Sequence, residues 1–383
     1  MIGDVALVVL LGAAVAGCVY LAAAAWLVTD FARRPRAPRP SGAAVTILKP
    51  LHGQEPDLYD NLASFCRQDY PGPVQIVFGV ADPNDPAVAA VERLRTEFPG
   101  HDLALVADRT VAGSNPKVAN LINMSGQVRN AIVVIADSDI RVRPDYLAGV
   151  VGELERSANG AVTCLYHGVE TDSLWSSLSR LQIDGHFLPG VVTGLRLGLA
   201  QPCFGSTIAM RASTLAAFGG FAAVADTLAD DYEIGAALRR RGETVALPPF
   251  AVGHTCGETS FRQLWRHEVR WASTIRIIDP AGYAGWIVSN PLPFALLALA
   301  AGGGAPAAAV TVAALLCRAA VLFAVSRSFA SPRPPYWLVP LRDLLSFAVF
   351  VAGFAARNVD WQGRRYRLTP KGEISSEGRS RTP

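Results

Sequence analysis

Two aspartates separated by one residue, Asp137 and Asp139, directly follow an uninterrupted apolar run in this sequence. The run, residues 131–136, is rich in β-branched side chains and is typical of a buried parallel strand. Residues two apart in extended backbone point the same way, so both carboxylates can share one target. Carboxylate oxygens at the carboxyl end of a parallel strand suit Mg²⁺ or Mn²⁺ bound together with substrate phosphates. The alternative is a polar turn that only closes the strand.

Two further segments carry residues suited to binding a charged ligand. Lys117 follows Gly113-Ser-Asn-Pro, which predicts a turn and the first turn of a helix. A helix N-terminus attracts anions, and a lysine beside it suits a phosphate, although a solvated cap with a surface lysine is the alternative. Asp82 follows a predicted strand over 74–80 and lies on a turn, because the prolines after it disfavour a helix.

Acidic and basic residues also mark two predicted helices. Asp230 and Asp231 open the first, where one negative charge is explained by the helix dipole. A second adjacent carboxylate predicts a general base in the same cleft. The other helix, over 261–275, carries His267, Arg270 and Trp271. It indicates either a basic helix at a membrane edge or a site for a diphosphate and an acceptor.

Alternating strands and helices position these residues. Strands predicted over 43–48, 74–80, 103–107 and 131–136 are separated by helices, so we expect an α/β fold with a largely parallel sheet. The predicted organisation is a transmembrane helix over 1–30, a basic, proline-rich linker over 31–42, a globular domain over 43–280, a membrane region over 281–358 and a polar tail over 359–383.

The composition predicts an integral membrane protein. The chain has 383 residues, of which 51% are hydrophobic, and its net charge is +3. Residues 5–29 carry no charge, and about 25 residues at roughly 1.5 Å each can cross a hydrocarbon core of about 30 Å. Arginines follow this segment, so the positive-inside rule places the globular domain in the cytoplasm. A cleaved signal peptide is the alternative, but the first residues lack a positive charge.

The C-terminal third predicts further membrane segments. Two spans are expected over 286–301 and 305–325, with Arg318 of the second reaching towards the cytoplasmic edge. Residues 344–356 are few for a span and are flanked by basic residues on both sides, so we expect a re-entrant or interfacial segment. Another span is the alternative. A further apolar helix over 171–199 is either buried or faces a lipid acceptor.

Charge and cysteine patterns limit the classes of partner. Basic residues cluster beside apolar segments, which favours anionic lipid headgroups over nucleic acid. The six cysteines lack the spacing of a zinc site or a disulfide framework.

Taken together, these motifs resemble the ceramide glucosyltransferase family of inverting GT-A glycosyltransferases, including its bacterial hopanoid-associated relatives. The resemblance covers nearly the whole chain. Its carriers are Ile47-Leu-Lys-Pro-Leu-His-Gly53, Val80-Ala-Asp-Pro-Asn-Asp-Pro-Ala87, Asn115-Pro-Lys117 with Asn120, Ala136-Asp-Ser-Asp-Ile-Arg-Val142, Ala229-Asp-Asp-Tyr232, His267-Glu-Val-Arg-Trp271 and Arg364-Arg-Tyr-Arg-Leu368.

The family pattern is three aspartate positions followed by (Gln/Arg)xxArgTrp, and it maps to Asp82, Asp137, Asp231, Arg270 and Trp271. Two residues depart from it. His267 stands where the family usually has Gln or Arg. Asp139 completes a DSD motif, at a position where the sequence of animal ceramide enzymes instead resembles CDSG.

The resemblance implies a UDP-sugar donor and a membrane lipid acceptor. Asp82 would bind the uridine, and Asp137 with Asp139 would bind the cation, Mg²⁺ or Mn²⁺, and the diphosphate. Asp231 would be the catalytic base. Lys117 and Arg270 would contact the phosphates, while Trp271 and His267 would lie at the acceptor.

The implied setting is the bacterial inner membrane, with catalysis on the cytoplasmic side. Two alternatives remain. A processive polysaccharide synthase normally needs more spans, and an inactive membrane scaffold would not require intact aspartates. The acceptors that fit the resemblance are ceramide, a hopanoid and diacylglycerol, and the implied sugar is a hexose of the glucose or N-acetylglucosamine type.

Overall fold

The computed structural model describes residues 2–156, 160–355, 358–361, 364–368 and 374–376. Most of the polar tail predicted over 359–383 lies outside these residues. The strands are β1 (Val45–Pro50), β2 (Val74–Val80), β3 (Asp102–Ala107), β4 (Ile132–Ile135), β5 (Ile140–Arg141), β6 (Ala161–Thr163), β7 (Leu165–Glu170), β8 (Ile208–Arg211), β9 (Val245–Ala246), β10 (Ala251–Cys256), β11 (Asn358–Trp361), β12 (Arg364–Leu368) and β13 (Ile374–Ser376).

Helices separate most of these strands. They are α1 (Ile2–Ala32), α2 (Leu58–Cys66), α3 (Ala87–Glu97), α4 (Pro116–Met124), α5 (Tyr146–Arg156), α6 (Leu174–Gln182), α7 (Leu188–Arg196), α8 (Ala212–Ala217), α9 (Asp230–Arg240), α10 (Phe261–Ile278), α11 (Pro280–Gly285), α12 (Pro291–Ala300), α13 (Gly304–Phe329) and α14 (Val339–Ala355). A π-helical segment, Ile183–Phe187, joins α6 to α7.

The chain forms two compact units. The sheet unit consists of Pro35–Tyr166, Gln201–Gly257 and Tyr366–Pro383, and the helical unit consists of Met1–Arg34, His167–Ala200 and Glu258–Arg365. The continuous domain expected over 43–280 is therefore divided.

The helices α6 and α10, which were expected in the globular domain, group with the helical unit for a physical reason. Leu178 and Leu181 of α6 and Leu264 of α10 share one apolar cluster with Leu322 of α13 and Leu338. Apolar side chains buried in one cluster favour grouping their helices together. The apolar helix predicted over 171–199 thus has a buried face, which agrees with the first of its two interpretations.

The main sheet of the sheet unit has the strand order β3-β2-β1-β4-β8-β6-β9. Strands β3, β2, β1 and β4 are mutually parallel, and β8 is antiparallel to its neighbours β4 and β6. This confirms the predicted α/β fold with a largely parallel sheet. Because β1, β2 and β4 run the same way, the segments after their carboxyl ends lie at one edge of the sheet, where ligands of open α/β sheets bind.

One apolar core fixes two helices on this sheet. Val118 of α4 and Ile234 and Leu238 of α9 are buried in the same cluster as Leu48 of β1 and Ile135 of β4. Helices anchored in a close-packed core hold their ends in fixed positions. The core thereby positions the start of α4, which carries Lys117, and the start of α9, which carries Asp230 and Asp231.

The helical unit contains three helices long and apolar enough to cross a membrane within the described residues: Asp4–Ala32, Gly304–Phe329 and Tyr336–Ala355. The first and second agree with the predicted spans over 5–29 and 305–325. In place of the span expected over 286–301, the segments Pro280–Ser289 and Pro291–Ala300 meet at a bend of 55°.

The third of these helices differs from the expected short re-entrant segment over 344–356. It begins eight residues earlier, at Tyr336, and reaches 20 residues in length. The full length of this helix was not predicted because Arg342 and Asp343 interrupt the apolar pattern of the sequence. Both are buried, at 1% and 0% exposure. Arg342 pairs with Glu268, and Asp343 pairs with Arg318 at 2.8 Å. Arg318 is thus paired inside the unit instead of reaching towards a membrane edge.

Candidate active site

The ammonium group of Lys117 links two carboxylates in the sheet unit. Its Nζ lies 2.7 Å from Asp137 Oδ1 and 3.1 Å from Asp230 Oδ2. Burial alone would lower the pKa of Lys117, but the charges of Asp137 and Asp230 outweigh it and hold that pKa well above its usual value. Lys117 is therefore a fixed positive charge at the carboxyl end of β4.

The start of α4 is built to hold this lysine in place. The Asn115 side chain caps the helix by accepting from the main-chain N–H of Lys117 at 2.9 Å and of Val118 at 3.2 Å. It also donates to the carbonyl of Thr227 at 2.8 Å. The predicted helix start, with Pro116 in the first turn, is confirmed.

Asp231 is held by main-chain groups. Its Oδ2 accepts from Gly205 N at 2.9 Å, and its Oδ1 accepts from the N–H of Tyr232 at 2.8 Å. Burial and then the charge of Asp230 raise the pKa of Asp231 to about 6, against the opposing charge of Lys117. Each oxygen keeps a free lone pair, so the carboxylate can still accept a proton.

Gly205 brings Asp137 and Asp231 together. Its N–H donates to Asp231, and its carbonyl accepts from Asp137 N at 3.1 Å. A Cβ at this position would stand 2.5 Å from Asp137 Oδ2 and 2.9 Å from Lys117 Nζ. Only a glycine therefore lets the backbone approach this closely.

Asp139 has a carboxylate oxygen suited to a ligand. Its Oδ1 is buried and has no hydrogen-bond partner among the described residues, while Oδ2 lies 3.7 Å from Nε2 of His254. A buried carboxylate oxygen without a partner is costly unless a ligand satisfies it.

The donor set of Asp137 and Asp139 fits Mg²⁺ or Mn²⁺, which prefer carboxylate oxygen. Among the described residues, however, no group of three or more His, Cys, Asp or Glu side chains is arranged to hold a metal. A cation bound by these two aspartates would take its remaining ligands from water or from a substrate phosphate.

Two charged residues beneath this edge were not predicted as part of the site. Lys49 of β1 is fully buried, and burial lowers its pKa to about 7 against the charges of Asp139 and Asp137. Burial, with the charge of Asp139, raises the pKa of Glu55 to about 7. In the part of the chain that the structure describes, Glu55 Oε2 has no hydrogen-bond partner.

Asp82 lies after β2, where it was predicted. It is about half exposed and pairs with Arg109 at 2.9 Å. The main-chain N–H of Asn84, together with Arg109, lowers its pKa. Asp82 is therefore an ionised acceptor on a turn at the carboxyl end of a parallel strand.

The three predicted residues of the helical unit lie on α10. The His267 and Trp271 rings meet edge to face, with centroids 4.4 Å apart, and Arg270 lies in the turn between them. His267 Nδ1 lies 2.5 Å from Oε1 of Glu258. Burial opposes the ionisation of Glu258, yet the contact with His267 gives it a lowered pKa. The residue that replaces the usual Gln or Arg therefore pairs with a carboxylate.

The structure thus brings Asp137, Lys117 and Asp231 together and places Asp230 beside them. The helix-dipole explanation of Asp230 omitted its contact with Lys117, because sequence spacing does not show which carboxylate of an adjacent pair turns inward. Lys49 had a detectable signal, a lysine that directly continues the apolar strand 45–48.

Comparison with known proteins shows the family. The family model described as glycosyl transferase family 21 matches residues 9–374. Ceramide glucosyltransferase 1 of Caenorhabditis elegans is 28% identical over 220 residues, which are 55% of this chain and 45% of that protein. Ceramide glucosyltransferase of Gibberella zeae is 33% identical over 142 residues, 33% of this chain and 27% of that protein. The chain thus spans less than half the length of these relatives.

A solved structure shows the same fold. A mannosyltransferase from Pyrobaculum calidifontis, in complex with GDP-Man and Mn²⁺, matches with a TM-score of 0.53 and 22% identity, covering 90% of this chain and 98% of that chain. The predicted GT-A fold is thereby confirmed. With the family match over most of its length, the chain belongs to glycosyl transferase family 21.

Proposed function

We propose that this protein is a membrane-bound, inverting glycosyltransferase that moves a hexose of the glucose or N-acetylglucosamine type from a UDP-sugar to a lipid hydroxyl. Ceramide and hopanoid are the proposed acceptors. The observation that carries the proposal is the cluster of Asp137, Lys117 and Asp231 at the carboxyl edge of the sheet. Helices of membrane-spanning length and the ceramide glucosyltransferase relatives support the lipid acceptor.

The proposed step is a direct displacement at the anomeric carbon of the sugar. The acceptor hydroxyl oxygen forms the new bond to that carbon while the bond to the diphosphate oxygen breaks. The bonding electron pair leaves with UDP, and the hydroxyl proton passes to Asp231. Attack from the face opposite the leaving group inverts the anomeric centre. The pKa of about 6 suits Asp231 to this role, because it is ionised at neutral pH yet basic enough to accept a proton.

Charge on the leaving UDP is the main quantity to be stabilised. Lys117 supplies a fixed positive charge, and the (Gln/Arg)xxArgTrp match assigns Arg270 to the same phosphates. Asp137 and Asp139 would hold Mg²⁺ or Mn²⁺, which when bound neutralises diphosphate charge. Asp82 would accept from the uridine.

The acceptor would be presented at the membrane surface. Trp271 offers a flat apolar wall, and His267, packed edge to face against it, offers a polar group beside that wall. The arginines after α1 support a cytoplasmic site, and a bacterial inner membrane with anionic headgroups is the proposed setting.

Mass spectrometry of lipids tests the function. The full-length protein is expressed in a host that makes UDP-glucose and UDP-N-acetylglucosamine and is supplied with ceramide or a hopanoid. We expect a new glycolipid whose mass exceeds the acceptor's by one hexose or N-acetylhexosamine residue, and no such product with Asp231→Asn at equal protein abundance. A ladder of products would indicate the processive alternative. No product from any supplied acceptor, or the same product from Asp231→Asn, would contradict the proposal.

A further inference from the structure

Lys49 is a buried lysine for which the proposed reaction gives no role. It lies in β1, at the centre of the parallel part of the sheet, and its exposure is 0%. A lysine buried this fully is rare, because moving an ammonium group out of water is costly. Stability alone would favour an apolar side chain here, so the contacts of the ammonium group indicate what it contributes.

Those contacts are with the main chain beside the predicted metal ligands. Lys49 Nζ donates to the carbonyl of Asp137 at 2.5 Å. The same carbonyl accepts from Ile140 N at 3.3 Å, which closes the turn that contains Asp139. The N–H of Asp137 donates to Gly205 O at 3.1 Å. Lys49 therefore fixes the carbonyl of Asp137, and Gly205 fixes its N–H.

The side chain of Lys49 is itself fixed. Its Nζ lies 4.0 Å from the ring centroid of Phe65, a favourable cation–π arrangement, and Phe65 is 1% exposed. Because the ammonium group of Lys49 is fixed, it also fixes the Asp137 carbonyl to which it donates.

We propose that Lys49 is a positioning residue that holds the Asp137–Ile140 turn, so that Asp137 and Asp139 present their carboxylates together to a divalent cation and a nucleoside diphosphate. The inference rests on the proposed function, because it concerns how the donor site is assembled. Lys49 acts through Asp137 and does not itself touch the substrate. Residues that orient metal ligands in this way typically contribute 10–100-fold to metal affinity.

Binding of Mn²⁺ tests this without turnover. The full-length protein in detergent is titrated with Mn²⁺ in the presence of UDP, and free Mn²⁺ is measured by electron paramagnetic resonance. Lys49→Met keeps the length of the side chain but removes the hydrogen-bond donor and the charge. We expect it to raise the Mn²⁺ Kd roughly tenfold or more. Lys49→Arg keeps a donor and a charge, and we expect it to restore part of the affinity.

Thr46→Val is the matched control. Thr46 lies on the same strand, is equally buried and bonds to Gln75 at 2.8 Å, away from the turn. We expect it to lower the melting temperature with no change in Mn²⁺ affinity. If Lys49→Met lacks a cooperative melting transition, Lys49→Arg is compared with the wild type instead. A raised Mn²⁺ Kd of Lys49→Arg would then support the positioning role, and a wild-type Kd would contradict it. Wild-type affinity in folded Lys49→Met would overturn the positioning role while leaving the proposed function intact. Absence of Mn²⁺ binding by the wild type would overturn the cation site and with it the positioning role, while glycolipid formation tests the proposed function separately.

Discussion

Lys117 contacts Asp230, the first carboxylate of the adjacent pair, across 3.1 Å. The second carboxylate, Asp231, is held by the N–H of Gly205 instead. Two neighbouring aspartates therefore have different environments: one neutralises a lysine, and the other keeps a raised pKa and is available as a base. This difference leads to separate expectations for the two residues.

Replacing each aspartate by asparagine separates a role in proton removal from a role in donor binding. Proton removal helps only the transition state, so we expect Asp231→Asn to lower kcat roughly 100-fold or more with UDP-sugar binding little changed. Asp230→Asn removes a charge-assisted bond to Lys117, worth about 1.5 kcal/mol or roughly tenfold, and we expect the larger part of its effect in donor affinity.

Steady-state kinetics in membranes and UDP binding by calorimetry measure these two effects. An inactive Asp230→Asn beside an active Asp231→Asn would mean that the base is misassigned by one residue.

The pH dependence follows from the raised pKa of Asp231, about 6. The base must be ionised, so kcat/KM should fall about tenfold per unit as pH drops below 6 and level off above it. Lys117 keeps its charge throughout, since its pKa is well above the ordinary value. Because the charge of Asp230 contributes to the raised pKa, Asp230→Asn should move the acidic limb to lower pH. A limb that stays in place or moves upward in this variant would contradict the assignment.

Local sequence patterns predicted the sheet and the positions of the aspartates well. Strand β2 and helix α3 begin and end as expected, because their apolar periodicity is bounded by prolines and turns. The segments after β2 and β4 place Asp82 and Asp137 at the same edge, since parallel strands share direction.

Long-range pairing was not predictable in the same way. In the sequence, Arg342 and Asp343 are polar interruptions of an apolar segment. In the structure, each forms an ion pair with a residue from another helix, Glu268 and Arg318 respectively. Nothing local to Lys49 indicates that its ammonium group reaches the carbonyl of Asp137, 88 residues later. Such contacts depend on the packing of whole elements.

Metal dependence is the third prediction. We expect Asp137→Ala to abolish transfer in membranes. EDTA should suppress the wild type, and added Mn²⁺ or Mg²⁺ should restore it. Asp102→Ala is the control, because Asp102 is half exposed, pairs with Arg129 and lies at the opposite end of its strand from the site. Full wild-type activity in EDTA would contradict the assignment of Asp137 and Asp139 to a cation.

Membrane topology is the fourth prediction. With Asp4–Ala32, Gly304–Phe329 and Tyr336–Ala355 as spans and the bent pair re-entrant, residues 40 and 383 lie on the same side. The arginines near both positions favour the cytoplasm. Reporter fusions at 40, 303 and 383 should therefore behave as cytoplasmic, and a fusion at 333 as external. External signals at 303 and 383, with a cytoplasmic one at 333, would instead mean that the bent pair crosses the membrane.

The last prediction concerns the ion pair between Arg342 of α14 and Glu268 of α10, two helices of one unit. The guanidinium donates two bonds to the carboxylate, at 2.7 and 2.8 Å, and the residues are 1% and 5% exposed. Removing one partner leaves a buried charge uncompensated, so we expect Arg342→Met to cost about 3–5 kcal/mol.

The double variant Arg342→Met/Glu268→Met removes both charges and should recover much of this loss, because the desolvation cost disappears with them. Arg95→Met is the control, since Arg95 pairs with Glu92 at an exposed position and should cost less than about 1 kcal/mol. Melting in detergent, followed by tryptophan fluorescence, measures these variants and the single variant Glu268→Met. A double variant that loses as much as the sum of the single losses would mean that the two side chains do not interact. A destabilised α10 should also lower transfer, because this helix carries Arg270 and Trp271.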